Sequence, residues 1–361
     1  MKTTELARRM GITPHQTPSE RRLTAGEILQ DGGLLEVVRD PKSGTLRLFH
    51  FQGDKSSVAP EQVLNEHCYV VIEAASRFCH LPAGPKSYGS TADLFKMILE
   101  FAIRSLEIPH DAAALITFFT FASYFSEAVA MSPCLLLSGA CHTAVSVLRF
   151  LSCICRHPIL LAGTGVNGFP RELRPTRLIC QADRALDKYL ASLQFRGFEI
   201  ISGGPRLING ATAVYIGNAE LSTPFQATCL LLAVPSTART FSTQDEERES
   251  ATILSLQNQL LAYKLHNFGR VKSSTFDAVE FSGSTRLLAR TLGQCVVDAA
   301  ELRERLIDLL QPIDDAERTE GASQFDAVVV EALVVACHEQ KMSIHVGEIA
   351  QLSNAILKAQ R

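Results

Sequence analysis

Charge of one sign is missing from this sequence. Its 361 residues carry 35 basic and 38 acidic side chains, a net charge of -3, so no global electrostatic argument points to nucleic acid, a membrane surface or an acidic substrate. Any DNA contact must be local. Cys-x-x-Cys pairs are missing too. Ten cysteines are scattered along the chain, and Cys134, Cys153, Cys155, Cys229, Cys295 and Cys337 sit inside apolar runs, the pattern of reduced core thiols. No apolar run reaches the roughly 18 residues that span a bilayer. Ala112 to Phe125 stops short of Glu127, and Ala144 to Gly163 is interrupted by Arg149 and Arg156, which are costly in hydrocarbon. The polar start MKTTELARRMGITPHQTPSERR has no apolar h-region, so a cytoplasmic protein without a membrane partner is expected. G-x-S-x-G, H-E-x-x-H and paired-carboxylate arrangements are also absent, which removes the common hydrolase chemistries.

What is present is a globular composition: 46% apolar, 20% charged, mean hydropathy +0.10. The length fits about two domains. Residues 1 to 22 form a locally basic arm, with Lys2, Arg8, Arg9, Arg21 and Arg22 against Glu5 and Glu20. From Leu34 to Phe51, two apolar runs flank Asp40-Pro41-Lys42-Ser43-Gly44, the composition of a β-hairpin. Residues 1–89 therefore read as a small α+β portion closed by a Pro/Gly linker at 83–89. Residues 90–130 read as a helical lead-in, with Ser90-Thr91 capping one helix and a second following Pro109.

Between 131 and 240, five short apolar runs alternate with helical or turn segments: Cys134 to Leu137, Ile159 to Leu161, Arg177 to Cys180, Ala213 to Gly217 and Cys229 to Val234. Continuous apolar strands separated by crossovers predict a five-stranded parallel sheet in an α/β core. Phe198 to Ile208 reads as an inserted hairpin turning at Ser202-Gly203-Gly204. From 241 to 361 the pattern is helical throughout. A capping box is expected at Thr243/Glu246, one helix face carries Ile253, Leu256, Leu260 and Tyr263, and breaks fall at Gly283, Pro312 and Gly321.

The stretch LLLSGACHTAVSVLRFL is a strand, a small-residue loop and a helix. Aligned with G-x-x-x-x-G-K-[ST], Gly139 takes the first glycine, Ala140, Cys141, His142 and Thr143 the variable positions, Ala144 the second glycine, Val145 the lysine and Ser146 the magnesium-binding hydroxyl. Two of four defining positions survive. Further on, RLICQAD places Cys180 and Gln181 where such a protein writes aspartate and glutamate, with Asp183 just beyond.

On these residues, and on YGSTADLF, PCLLLSGA, RHPILLAG, LRPTRLICQAD and QNQLLAYKL, the chain from about Leu34 onward resembles the P-loop ATPase or helicase-like proteins of bacterial mobile elements, related to primase-helicase ATPase domains. The resemblance implies a P-loop NTPase-like sheet with a sensor residue, Asn218, ending its fourth strand. It also implies a DNA-facing hairpin that would carry Arg206. The departures weaken the chemistry. Val145 offers a phosphate no charge and no donor, and losing one charge-assisted hydrogen bond costs ~1.5 to 3 kcal/mol. Cys180 is a soft ligand where magnesium needs a hard one, and Gln181 cannot take a proton from water, a loss of ~10²- to 10⁴-fold in rate. His142 reads either as a partial substitute for the lysine or as a surface histidine.

The expected protein is thus a catalytically degenerate ATPase-like module. It needs no cofactor, binds Mg-ATP weakly at most, and partners DNA, a replication protein or other subunits. One alternative is an active DNA translocase using Ser146, Asp183 and Asn218. The other is an eroded relic without selected activity.

Other motifs are weaker. Gly163 to Gly168 spells G-x-G-x-x-G, but the prolines of GFPRELRP leave no room for the helix a dinucleotide needs. Cys153-x-Cys155-x-His157 lies on a predicted helix, where residues two apart do not converge on one ion. His67-Cys68 with Cys79-His80 is the only knuckle-like spacing, and no metal is expected. SIHVGEIAQLSNAILKAQR reads as a final packing helix rather than the start of a helix-turn-helix.

Overall fold

The computed structural model describes residues 20–163, 173–180, 199–200, 206–207, 210–217, 228–281, 283–323, 325–338 and 345–359. Its N-terminal portion is built from seven strands: β1 (Glu20–Thr24), β2 (Gly26–Ile28), β3 (Leu34–Arg39), β4 (Leu46–Gln52), β5 (Lys55–Ala59), β6 (Glu61–Leu64) and β7 (His67–Val71). They form a three-stranded sheet ordered β1-β7-β6 and a four-stranded sheet ordered β2-β3-β4-β5. The expected hairpin is β3–β4, antiparallel with Leu34 opposite Phe51. The helical share expected of this portion shrinks to one 3₁₀ segment, Glu73–Arg77, among its described residues.

Two helices follow, α1 (Thr91–Leu106) and α2 (His110–Ser123). Ser90 caps α1 and Asp93 returns the bond to the Ser90 amide, which satisfies two orphan donors at once. Every side chain of α2 from Ala113 to Ser123 is buried, so the most membrane-like stretch of the sequence is an interior helix. Its polar residues are tolerated because Thr117 and Thr120 donate to the carbonyls of Ala113 and Ile116, and Ser123 to that of Thr120. Among the described residues no helix is long and apolar enough to cross a membrane.

The central sheet contains β8 (Cys134–Gly139), β9 (Pro158–Leu161), β10 (Thr176–Ile179), β13 (Thr212–Tyr215) and β14 (Leu230–Val234), ordered β14-β8-β13-β10-β9 and parallel at every pairing. A two-stranded hairpin, β11 (Glu199–Ile200) and β12 (Arg206–Leu207), precedes β13. All five expected strands are present within two residues of their predicted limits. Burial on both faces holds for the inner strands; at the edges, Leu231 and Leu160 are exposed, because one face of each edge strand is left uncovered. Helix α3 (Cys141–Ile154) connects β8 to β9.

Every described element after β14 is helical: α4 (Thr243–Arg248), α5 (Ser250–Lys272), α6 (Gly283–Gly293), α7 (Ala300–Ser323), α8 (Phe325–His338) and α9 (Val346–Ala359). The capping box sits one residue earlier than predicted, on Ser242 and Asp245. Pro312 does not end α7. The carbonyl it leaves unbonded belongs to exposed Asp308, where water can satisfy it. Cys337, read as a core thiol, is exposed. One apolar core runs from Leu34 through the sheet to Leu310, so packing is continuous across residue 240. The 83–89 linker is also tied down, because the Asn258 side chain on α5 accepts from the amides of Ala83 and Gly84.

Candidate functional site

In an open parallel sheet, ligands bind beyond the carboxyl ends of the strands where the strand order reverses. Here that place is the end of β8: its crossover leads toward β9, past β13 and β10, while β14 lies on its other side. Gly139, Tyr215, Gly217, Cys180 and Val234 all lie at this edge. β8 and the strand leading to Cys180 are separated by β13 alone, so the sequence segments read as phosphate-binding and acidic share one edge of one sheet.

The geometry of the turn differs from a phosphate loop. Gly139 is the last residue of β8, Ala140 is the N-cap, and α3 begins at Cys141. Cys141, His142, Thr143, Ala144, Val145 and Ser146, read as loop and loop-to-helix positions, are all helical. Thr143 donates to the carbonyl of Ala140 and Ser146 to that of His142, at 2.9 and 2.8 Å. Thr143, Ala144 and Ser146 are buried, while Cys141 and His142 are exposed, so His142 is a surface histidine. Small residues that looked like a loop are small because this helix packs on the sheet.

Gly139 has its own structural reason. Its φ is +109°, and a Cβ there would lie 2.4 Å from the Val234 carbonyl oxygen of β14. Its carbonyl accepts a hydrogen bond from the Tyr215 hydroxyl at 3.2 Å. Gly139→Ala should therefore destabilise the protein by about 2 to 3 kcal/mol, combining left-handed strain with displacement of β14. A chemical-denaturation midpoint equal to wild type would refute this. Cys180 is half-buried, and its amide donates to Leu161. Gln181, Asp183, Asn218 and the Ser202-Gly203-Gly204 turn lie outside the described residues, as does Gly163–Gly168 apart from Gly163. Arg206 pairs with Ile200 in the β11–β12 hairpin.

A second constellation sits at the opposite, amino edge of the sheet and was not anticipated. Glu36 on β3, Glu127 after α2, Arg156 and His157 ahead of β9, and Lys264 on α5 have side chains between 1 and 5% exposed. Arg156 grips Glu36 with two hydrogen bonds of 3.2 and 2.9 Å and lies 3.1 Å from Glu127. Lys264 contacts Glu36 and lies 3.1 Å from Glu127. Half-buried Arg174 approaches Glu127 at 3.6 Å.

Burial pushes both carboxyls up, but Arg156 and Lys264 outweigh it. Glu36 is held well below the usual carboxylate range and Glu127 at about 2. Burial and the neighbouring Arg156 hold His157 down at about 4 despite its contact with Glu36; it is a neutral ring stacked on Phe78 at 4.6 Å. The network sets two buried acids against two buried bases at the sheet's amino end, with half-buried Arg174 at its margin, which marks it as structural. Its sequence signal was a single charge inside each apolar run: LLEVV, ICRHPILL, LLAYKL.

The Cys153-x-Cys155-x-His157 spacing does not converge, since His157 belongs to this network. His67 pairs with Glu20 and Cys68 with Glu61.

No known protein family matches the chain, and no curated protein matches it either. Among solved structures it is similar to the apo form of the NrS-1 C-terminal region. The two are 8% identical over 90% of this chain and 83% of that one, with a TM-score of 0.34. Two further structures of region 305–718 give TM-scores of 0.31 and 0.30 at 8 and 9% identity. Likeness at this level carries no functional argument; the strand order and the site geometry must do so.

Proposed function

We propose that this protein is a degenerate P-loop ATPase-like scaffold that acts as a DNA-associated or assembly module of a mobile-element replication system. The reading rests on one observation above others: a single residue, Ala140, separates the last residue of β8 from the first of α3. A P-loop works by wrapping several backbone amides around a phosphate. A chain that goes from strand to helix through Ala140 alone has no such wrap. Val145 adds no charge, and the Ser146 hydroxyl is spent inside the helix.

The sequence resemblance supplies the replication context, and the shared sheet edge of Gly139 and Cys180 is compatible with it. What remains for an anion is the N-terminus of α3, which has no side-chain cap, so weak affinity for phosphate is the ceiling. The relic alternative is disfavoured by the buried ion network, any member of which is costly to lose.

Mg-ATP titrated into the full chain by calorimetry should give no binding tighter than millimolar. Micromolar affinity with turnover would overturn the proposal and favour a translocase working through Ser146, Asp183 and Asn218. Binding to single- and double-stranded DNA at several salt concentrations then distinguishes a DNA-associated module, whose affinity falls steeply with salt, from an assembly module that does not bind DNA.

A further inference from the structure

Three ligand-type side chains from distant parts of the sequence meet at the junction of the N-terminal sheets, α3 and α4. His80 follows the 3₁₀ segment, Cys153 lies in the last turn of α3, and Glu246 lies on α4; their ligand atoms all fall within 4.8 Å of one another. One nitrogen faces both partners: His80 Nε2 is 3.8 Å from Cys153 Sγ and 3.6 Å from a Glu246 oxygen.

These distances identify what the cluster fits. A nitrogen-to-oxygen separation of 3.6 Å is too long for a hydrogen bond. Two ligands bound tetrahedrally to zinc, at bond lengths of about 2.1 Å to N or O and 2.3 Å to S, stand about 3.4 Å (N and O) and 3.6 Å (N and S) apart. The two sides that meet at His80 are therefore within a few tenths of an ångström of those that enclose a metal, and the third, from Cys153 Sγ to a Glu246 oxygen, is no longer than 4.8 Å. We propose that His80, Cys153 and Glu246 form a Zn²⁺ site that staples the N-terminal portion to α3 and α4, with a water as fourth ligand.

Each ligand is held by a rigid element. The Cys79 amide donates to Pro158 at 3.0 Å, fixing the residue next to His80. Gln257 donates to the Cys153 carbonyl at 2.8 Å, and the Ser242/Asp245 capping box sets α4. Arg149, one turn before Cys153, binds the other Glu246 oxygen at 3.0 Å, leaving Oε2 turned toward His80, as outer-shell partners of metal sites do. Burial keeps the imidazole neutral, the form that ligates. The Cys153 thiol is held protonated by burial and by Glu246, so binding releases its proton to solvent as the metal–sulfur bond forms. A nitrogen, sulfur and oxygen set suits zinc and not calcium or magnesium. The site lies away from the carboxyl edge of the sheet, and the proposal stands whether or not nucleotide binds.

The test is a titration of the full, reduced, EDTA-treated chain with Co²⁺, followed by Zn²⁺. One Co²⁺ per chain should bind with near-ultraviolet thiolate-to-cobalt absorption and be displaced by one Zn²⁺. Cys153→Ser should abolish that absorption. Cys155→Ser should keep it, because Cys155 is buried beside Thr120 and Ser123 instead. Arg149→Met should weaken binding by about 10-fold. If Cys153→Ser fails to fold, His80→Ala, at a half-exposed position, decides: it must lower Co²⁺ affinity roughly 100-fold. A folded wild type without thiolate-to-cobalt absorption, an absorption that survives Cys153→Ser, or an unchanged Co²⁺ affinity in His80→Ala overturns the site.

Discussion

Lys264→Met should lower the stability of the protein by about 3 to 5 kcal/mol, the cost of leaving a buried charge without its partner, and its melting temperature by roughly 5 to 15 °C. The methionine fills the same space, so the loss is electrostatic. Glu36 and Glu127, both within 5% of full burial, would be left sharing Arg156 and the half-buried Arg174. The charge-balanced double variant Glu36→Gln/Lys264→Met keeps the Arg156–Glu127 pair and should recover much of that loss, a coupling measurable in a double-mutant cycle. Equal melting temperatures for wild type and Lys264→Met would show that the network contributes nothing. Because it joins β3, the start of β9 and α5, the single variant should loosen all three together, and amide exchange in those segments reports that directly.

Acid should destabilise the protein in two overlapping stages. His157 has an ordinary value of 6.5 and is held at about 4 in the fold. Between those values the unfolded chain takes up the proton and the native state does not, so stability is complete above about pH 6.5 and falls by up to roughly 3 kcal/mol as pH drops toward 4. His50, also lowered by burial, adds to the same stage. Glu127, lowered from 4.5 to about 2, gives the second: its contribution is present above about pH 4.5 and is lost as pH falls toward 2, again by roughly 3 kcal/mol. Glu36 acts in the same direction. His157→Asn isolates the first stage. Asparagine tolerates the left-handed backbone at this position, where φ is +48°, and it does not titrate. Denaturation midpoints measured from pH 7 to 4.5 should slope in wild type and flatten in the variant. Parallel curves would remove His157 as the cause.

Much of the central sheet was legible because its strands are short, mostly apolar runs, such as Cys134 to Leu137, that need no partner to be recognised. The site was legible in part. Gly139 was singled out for a phosphate, yet the residue answers to the Val234 carbonyl of β14, a neighbour almost a hundred positions away. SGACHTAVS reads as a loop because small and hydroxylated residues disfavour helix in isolation. It is helix from Cys141 because Thr143 and Ser146 turn their hydroxyls onto backbone carbonyls and Ala144, Val147 and Leu148 are buried. Glu36, Arg156 and Lys264 each looked like a stray charge, since a partner 120 or 228 positions away leaves no local pattern.

Period and composition by themselves determined the five central strands, the β3–β4 hairpin, most helix limits and the free thiols, because those follow from what each short segment must hide from water. Strand order, the missing loop between β8 and α3, the charge network and the meeting of His80, Cys153 and Glu246 were decided only by tertiary packing. Each depends on which distant surfaces come to share one interior, and no local signal in the chain encodes that.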